Sequence, residues 1–302
     1  ARCYSLRLSF LQLKFAGVNT SMLRLALASL FIIAFIHVEN ARARDKKGNR
    51  AYPPSFAGAE VETYKTVGDT QLKLFIFKPP GHKPTDKRPA IVFFCGGGWT
   101  NGSPGQFEQH CRHLASRGMV AITADYRVAS RHQVKAVSCV ADAKSAIRYV
   151  RKEAGRLGID PNRLAAGGGS AGGHLAACCG VISGFDESGE DLKISSVPNA
   201  LALFNPAVVL VRDADVNPGN PDRAGALKER MGVEPKSLSP YHQVKAGAVP
   251  TIIFHGKADT TVPYDTAEMF AKAMKDAGNR CELFGYEGQA HGFFNHGRGG
   301  NE

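Results

Sequence analysis

Apolar positions along this chain follow two rhythms. Residues 61–67 and 71–77 alternate apolar with polar side chains, the period-2 pattern of strands with one solvated face. They predict an opening antiparallel pair. Farther on, apolar residues run together. Residues 90–95, 119–125, 163–166, 200–204, 250–256 and 281–286 are short apolar runs, as expected of strands buried on both faces. Helical stretches are predicted at 107–117, at 140–154 and from Gly173 onward. Strands alternating with helices predict an α/β fold, with a mainly parallel central sheet and helices on both faces. A ligand site then belongs beyond the carboxyl ends of the strands. Residues 211–239 break the rhythm. A Pro/Gly/Asn loop at 217–221 and a short helix at 224–231 predict a short cap insertion over that site.

Chemistry enters where the buried runs end. The run 163–166 leads into Gly168-Gly169-Ser170-Ala171-Gly172, a G-x-S-x-G turn. Such a turn lifts a serine above the sheet in strained backbone angles, and neighbours with a Cβ would clash. Ser170 is the candidate nucleophile. The run 90–95 ends in Gly96-Gly97-Gly98-Trp99, where bare glycine backbone can bring N–H groups close to a developing oxyanion. No Lys-Ser/Thr follows these glycines and no spaced G-x-G-x-x-G is formed, so neither nucleotide fingerprint fits. Asp259 lies just past the run 250–256, and His291 follows the run 281–286. The chain order Ser170, Asp259, His291 is that of α/β-hydrolases, not that of the chymotrypsin or subtilisin classes.

Taken together, Phe94-Cys95-Gly96-Gly97-Gly98-Trp99, Asp125-Tyr126-Arg127, Asp160-Pro161-Asn162-Arg163, the elbow from Gly168 to Gly173, His255-Gly256-Lys257-Ala258-Asp259 and Ala290-His291-Gly292 resemble a known pattern. It is that of α/β-hydrolase serine esterases of the hormone-sensitive-lipase and carbohydrate-acetylesterase-like branch, over about residues 60–297. The resemblance implies the α/β-hydrolase fold, with Ser170 as nucleophile, His291 as base and Asp259 as its orienter. It implies an oxyanion hole from the N–H groups of Gly97, Gly98 and Ala171. It also implies short acyl, chiefly acetyl, esters as substrates, on small molecules or carbohydrates, with no cofactor and no metal. One departure stands out: relatives with an H-G-G-G loop carry His where this chain has Cys95, and that His braces the loop. A prolyl-oligopeptidase-like peptidase is the alternative enzyme, although no second domain is seen that would size-select peptides. A non-catalytic hydrolase-fold binding protein is the alternative from another class, although such proteins typically lose a triad member.

Composition changes this picture little. At 302 residues and 43% hydrophobic, the chain can fill one large α/β domain. The net charge is +11, but the basic residues are dispersed apart from 42–50, and no Arg/aromatic groove pattern points to nucleic acid. Met22-Leu23-Arg24, the apolar run 25–38 and Ala41-Arg42-Ala43 read as a signal peptide at 22–43, with translation starting at Met22. The expectation is a secreted or periplasmic enzyme beginning near Arg44, with no membrane association in its mature form. Residues 44–302 would form a single hydrolase domain. No helix is predicted after the histidine loop, so a truncated C-terminus and an uncovered apolar face are expected. Of seven cysteines none has C-x-x-C spacing, and mostly free, buried thiols are expected. His110-Cys111-Arg112-His113 is read as a helix surface without metal, and His174 as a packed residue of the elbow helix.

Overall fold

Strand β1 (Glu60–Val67) turns back into β2 (Thr70–Phe77) through Gly68-Asp69, with Val67 paired to Thr70. Gly68 takes φ +55° at the first central position, which a two-residue hairpin of this kind reserves for glycine. The opening pair is therefore antiparallel as predicted. The computed structural model describes residues 52–212 and 221–298, so the expected leader and residues 299–302 lie outside the described residues. From Pro53 onward the chain contacts form one unit.

Six further strands follow: β3 (Arg88–Phe94), β4 (Val120–Ala124), β5 (Ile159–Gly169), β6 (Ala200–Phe204), β7 (Thr251–Gly256) and β8 (Cys281–Tyr286). The sheet order is β1-β2-β4-β3-β5-β6-β7-β8, with β2 antiparallel to β4 and every later pairing parallel. The chain leaves β3 toward β4 and then returns to add β5 on the other flank of β3. The strand order thus reverses between β3 and β5, where open α/β sheets place their ligands. Phe94 at the end of β3 pairs with Gly168 near the end of β5, so the loops after these two strands emerge side by side.

Helices α1 (Glu108–Ser116), α2 (Ala136–Lys152), α3 (Ala171–Val181), α4 (Pro221–Met231) and α5 (Tyr264–Asp276) complete the described framework, with single turns at Ala129–His132 and Ala154–Leu157. Helix α2 begins four residues before the predicted start. Its buried stripe of Ala136, Cys139, Val140, Ala143, Ile147 and Val150 opens on small side chains that barely register as an apolar pattern. The sequence reading missed α5. Its apolar face is Ala267, Phe270, Ala271 and Met274, at helical spacing i, i+3, i+4, i+7.

Right-handed crossovers put α2, α3 and α5 on one face and α1 on the other. The first face holds the larger core, from Leu74, Val92, Phe94 and Ile122 through Leu175 to Ile253 and Phe270. The second holds Phe75, Phe77, Ile91, Phe93, Phe107 and Cys111. Helices therefore cover both faces, but unequally. Ala202, Phe204, Ile252 and Phe254 on the second face are half-buried, and Phe284 on the edge strand is 45% exposed. The His110–His113 segment corrects the helix-surface reading. Cys111 is fully buried, and His110 lies half-buried among the rings of Phe93, Phe107, Phe204 and Phe294, while His113 is exposed. Apolar burial at about 25 cal/mol per Å² favours that inward turn of α1. Cys95, Cys111, Cys139, Cys178, Cys179 and Cys281 are free and buried, as expected.

Candidate active site

Ser170 sits between β5 and α3 at φ 55°, ψ −119°, a strained combination that a non-glycine residue holds only when its surroundings impose it. The constraints are visible. Its N–H donates to Phe204 O at 2.9 Å, and its carbonyl accepts from His174 N at 3.0 Å and Ala207 N at 3.2 Å. Gly172 is required by close approach. A Cβ there would lie 2.0 Å from Phe94 O, so any other residue would drive α3 off the end of β3.

Asp259 is buried three residues past β7. Its Oδ1 accepts from the N–H groups of Thr261 (2.8 Å) and Val262 (2.9 Å). Its Oδ2 accepts from Asn205 Nδ2 and from His291 Nδ1, the latter at 2.6 Å. Burial alone would raise this carboxyl, but the hydrogen bonds from Asn205, His291 and Val262 outweigh it and hold Asp259 below the ordinary carboxylate value. The ionised oxygen fixes the proton on His291 Nδ1 and leaves Nε2 as the basic atom. His255 also approaches Asp259 Oδ2, at 3.4 Å, with its Nε2 bonded to Val262 O at 2.8 Å. Burial lowers its pKa and favours the neutral ring.

The predicted residues converge around the elbow. Phe204 O holds Ser170 N, and the next residue, Asn205, holds Asp259, which holds His291. Three residues beyond His291, the Phe294 ring packs where a Cβ of Gly169 would stand. The structure joins Asp259 to His291 but does not join Ser170 Oγ to His291 by a hydrogen bond. Contacts of this kind commonly tighten only when substrate is held.

The glycine loop lies against the serine, and a Cβ on Gly96 would be 3.2 Å from Ser170 Cβ. Gly97 (φ +128°) and Gly98 (φ +62°) take angles that side chains rarely adopt. Among the described residues no acceptor takes the N–H of Gly97, Gly98 or Ala171. The Gly96 N–H, in contrast, is taken by Gln106 Oε1 at 2.6 Å.

The bracing that Cys95 cannot supply comes from elsewhere. Tyr126 OH donates to Cys95 O at 2.7 Å, and Thr100 N and Asn101 N donate to Gly97 O. Trp99, at φ +60°, donates from Nε1 to His174 Nδ1 at 3.2 Å, and His174 Nε2 donates to Leu238 O at 2.8 Å. Burial pushes His174 down to about 4, which keeps the ring neutral and able to accept from Trp99. Arg230 on α4 donates to Gly98 O at 2.5 Å, with its guanidinium 5.3 Å from the Trp99 ring centroid. The Cys95 thiol is buried and pushed up to about 12, so it is inert. Sequence reading named none of Asn205, Gln106 and Arg230. Only Asn205 carries a signal, a polar residue directly after a buried strand at the carboxyl edge.

Residues 74–274 match the BD-FAE family. Esterase LipC of Mycobacterium tuberculosis is 30% identical over 225 residues, covering 70% of this chain and 54% of that protein. The chain thus spans about half the length of that relative. Among solved structures, the propionate-bound esterase 2 of the Planctomycetes species Thermogutta terrifontis is 57% identical, covering 83% of this chain and 91% of that one, with TM-score 0.79. The same esterase phosphonylated by sarin is 56% identical over the same shares, again at TM-score 0.79. The sheet order, the serine elbow after β5 and this match over more than half of the sequence lead to one conclusion: the chain belongs to the BD-FAE family, on the α/β-hydrolase fold.

Proposed function

We propose that this protein is an exported serine carboxylesterase that cleaves short acyl esters, acetyl esters above all, on small molecules or carbohydrates. The observation that carries the reading is the 2.6 Å bond from His291 Nδ1 to Asp259 Oδ2, which leaves Nε2 as the base on the loop packed against the Ser170 elbow. Ser170 Oγ attacks the ester carbonyl as His291 Nε2 takes its proton. Asp259 stays ionised, keeps the imidazole in the right tautomer and stabilises the imidazolium. The N–H groups of Gly97, Gly98 and Ala171 hold the oxyanion. Collapse expels the alcohol, protonated by His291. Water then attacks the acyl-enzyme through the same base, and the acid leaves.

Support for the acyl preference is twofold. The cap comprises α4 and two single turns, Pro235–Leu238 and Pro240–Gln243, with no broad apolar lid among its described residues. A similar esterase holds propionate. Phosphonylation of that esterase by sarin fits a nucleophile of the Ser170 kind. Export rests on the 22–43 segment alone.

A panel of p-nitrophenyl esters and acetylated oligosaccharides tests the reading. We expect kcat/KM to peak at C2 to C4 and to fall steeply by C8. We expect Ser170→Ala to lower kcat by about 10⁴ to 10⁶ while keeping the fold. A larger kcat/KM on a C12 ester would overturn the small-acyl preference, and normal turnover by folded Ser170→Ala would overturn the mechanism.

A further inference from the structure

We propose that Gln106 is a positioning residue that locks the oxyanion loop to the histidine loop, so that the hole and the base are set by one shared link. The two loops leave β3 and β8, which have three strands between them. Gln106 spans them with its two amide atoms. Its Oε1 accepts from Gly96 N at 2.6 Å, and its Nε2 donates to Asn295 Oδ1 at 2.9 Å. Asn295 completes the span by donating from Nδ2 to Gly292 O at 2.8 Å and from its backbone N at 3.0 Å.

The chemistry of the ends fixes both amides. Gly96 N–H can only donate, so the oxygen of Gln106 faces it. Gly292 O can only accept, so the NH2 of Asn295 faces it. What remains in the middle is a donor on Gln106 and an acceptor on Asn295, which match. Flipping either amide would set donor against donor or acceptor against acceptor.

The link also has a rigid mount. Gln106 lies in the single turn Pro104–Phe107, capped by Ser103 Oγ, and Thr123 Oγ1 donates to Pro104 O at 2.9 Å. Phe107 is fully buried and stacks on Phe93 at 4.6 Å and on Phe294 at 5.9 Å. Phe294 belongs to the histidine loop, so the turn is packed to that loop as well as bonded to it.

Both ends of the link adjoin the proposed chemistry. Gly96 precedes the donors Gly97 and Gly98 and lies beside the Ser170 elbow, where an added Cβ would meet Ser170 Cβ at 3.2 Å, while Gly292 follows His291. Gln106 spends the Gly96 N–H on fixing the loop and leaves the next two to face substrate. A displacement of about 1 Å between reacting groups can cost 10²-fold in rate. The inference rests on the serine-esterase reading, which is checked first by Ser170-dependent turnover of a C4 ester.

The test compares wild type, Gln106→Glu, Asn295→Ala and the double variant. The introduced carboxylate still accepts from Gly96 but cannot donate to Asn295. Each single change is expected to lower kcat at least tenfold with KM changed less than threefold. The double variant should lose no more than the worse single, because both cut the same link. The ratio of Gln106→Glu to wild-type kcat should rise as pH falls toward 5, where a protonated carboxyl regains the donor. Should Asn295→Ala fail to fold, that pH ratio decides. Hydrogen exchange reads the link without substrate: Gln106→Glu should speed exchange in 289–298. Single variants with kcat within threefold of wild type, losses that multiply in the double, a pH-independent ratio, or unchanged exchange in that segment would each overturn the proposal.

Discussion

Replacing Asp259 by asparagine tests the acid–base assignment through a single atom. The Oδ1 side of the carboxylate faces two backbone donors, the N–H groups of Thr261 and Val262. In Asp259→Asn the amide oxygen must occupy that side, since an NH2 there would meet two donors. The NH2 is thereby aimed at His291 Nδ1 and at Asn205. Asn205 can flip to receive it, because its Oδ1 has no partner among the described residues. His291 cannot oblige without changing tautomer: Nδ1 must become the acceptor, and the proton moves to Nε2, the atom that should take the proton of Ser170. Substitutions that enforce the wrong tautomer in Ser-His-Asp sites cost about 10⁴ in kcat, or about 5 kcal/mol. The assay is kcat on a C4 ester at pH 8 beside wild type and Ser170→Ala, with circular dichroism as the folding control. A loss of less than tenfold would refute the reasoning. Stability supplies a second reading. The folded carboxyl lies below its ordinary value, so its contribution is present above the unfolded pKa of about 3.9 and vanishes as pH falls through the lower folded value. The Tm gap between wild type and Asp259→Asn should therefore be present at pH 7 and close toward pH 2. A gap that widened on acidification would reverse the sign of the argument.

Other consequences are as direct. Gly98→Val sets a β-branched side chain at φ +62° against Arg230 and should cost about 10² to 10³ in kcat, as for loss of one oxyanion donor, whereas Cys95→Ser should cost less than tenfold; kcat on folded proteins checks both, and greater damage from the cysteine change would give the thiol a role. His174 takes its proton near pH 4 in the fold but near 6.5 when unfolded, so folding stability should fall by about 3 kcal/mol as pH drops from 6.5 to 4. His174→Gln, which can still accept from Trp99 and donate to Leu238, should flatten that part of a Tm–pH curve; an unchanged slope would place the titration elsewhere. Expressed from Met22 in a bacterium, the protein should leave the cytoplasm with an N-terminus near Arg44, as N-terminal sequencing would show; an intact apolar segment in the membrane fraction would indicate an anchor instead.

What the sequence reveals here follows from how locally each feature is encoded. Strands β1 and β2 were legible from their alternation, β3 to β8 because each holds a short apolar run close to Gly, Pro, Asn or Asp, and the elbow because glycine is the one residue that fits beside Phe94 O. Helix α5 escaped because it begins directly behind the acid loop, where Thr and Ala dilute its apolar stripe. The early start of α2 escaped for the same reason, with Ala136 and Cys139 as its first buried positions. In the candidate site, the loop residues that belong to a motif, Ser170, Asp259 and His291, were found, while Asn205 was not, although it directly follows β6. Residues acting across the fold were not, since Gln106 and Asn295 are 189 positions apart and Arg230 and Gly98 are 132 apart. No local pattern announces an amide that matters only for what faces it after folding.

The grip on Trp99 bears on how such a site could be re-engineered. Arg230 and the carbonyl of Leu238 both belong to the segment that roofs the site, and both end on the oxyanion loop, one directly and one through His174. Roof and hole are therefore one mechanical part. Exchanging this roof for a larger one would remove the two struts that hold Trp99 at its positive φ. A redesign that widens the pocket must rebuild both contacts, or it will gain room for the substrate and lose the means of turning it over.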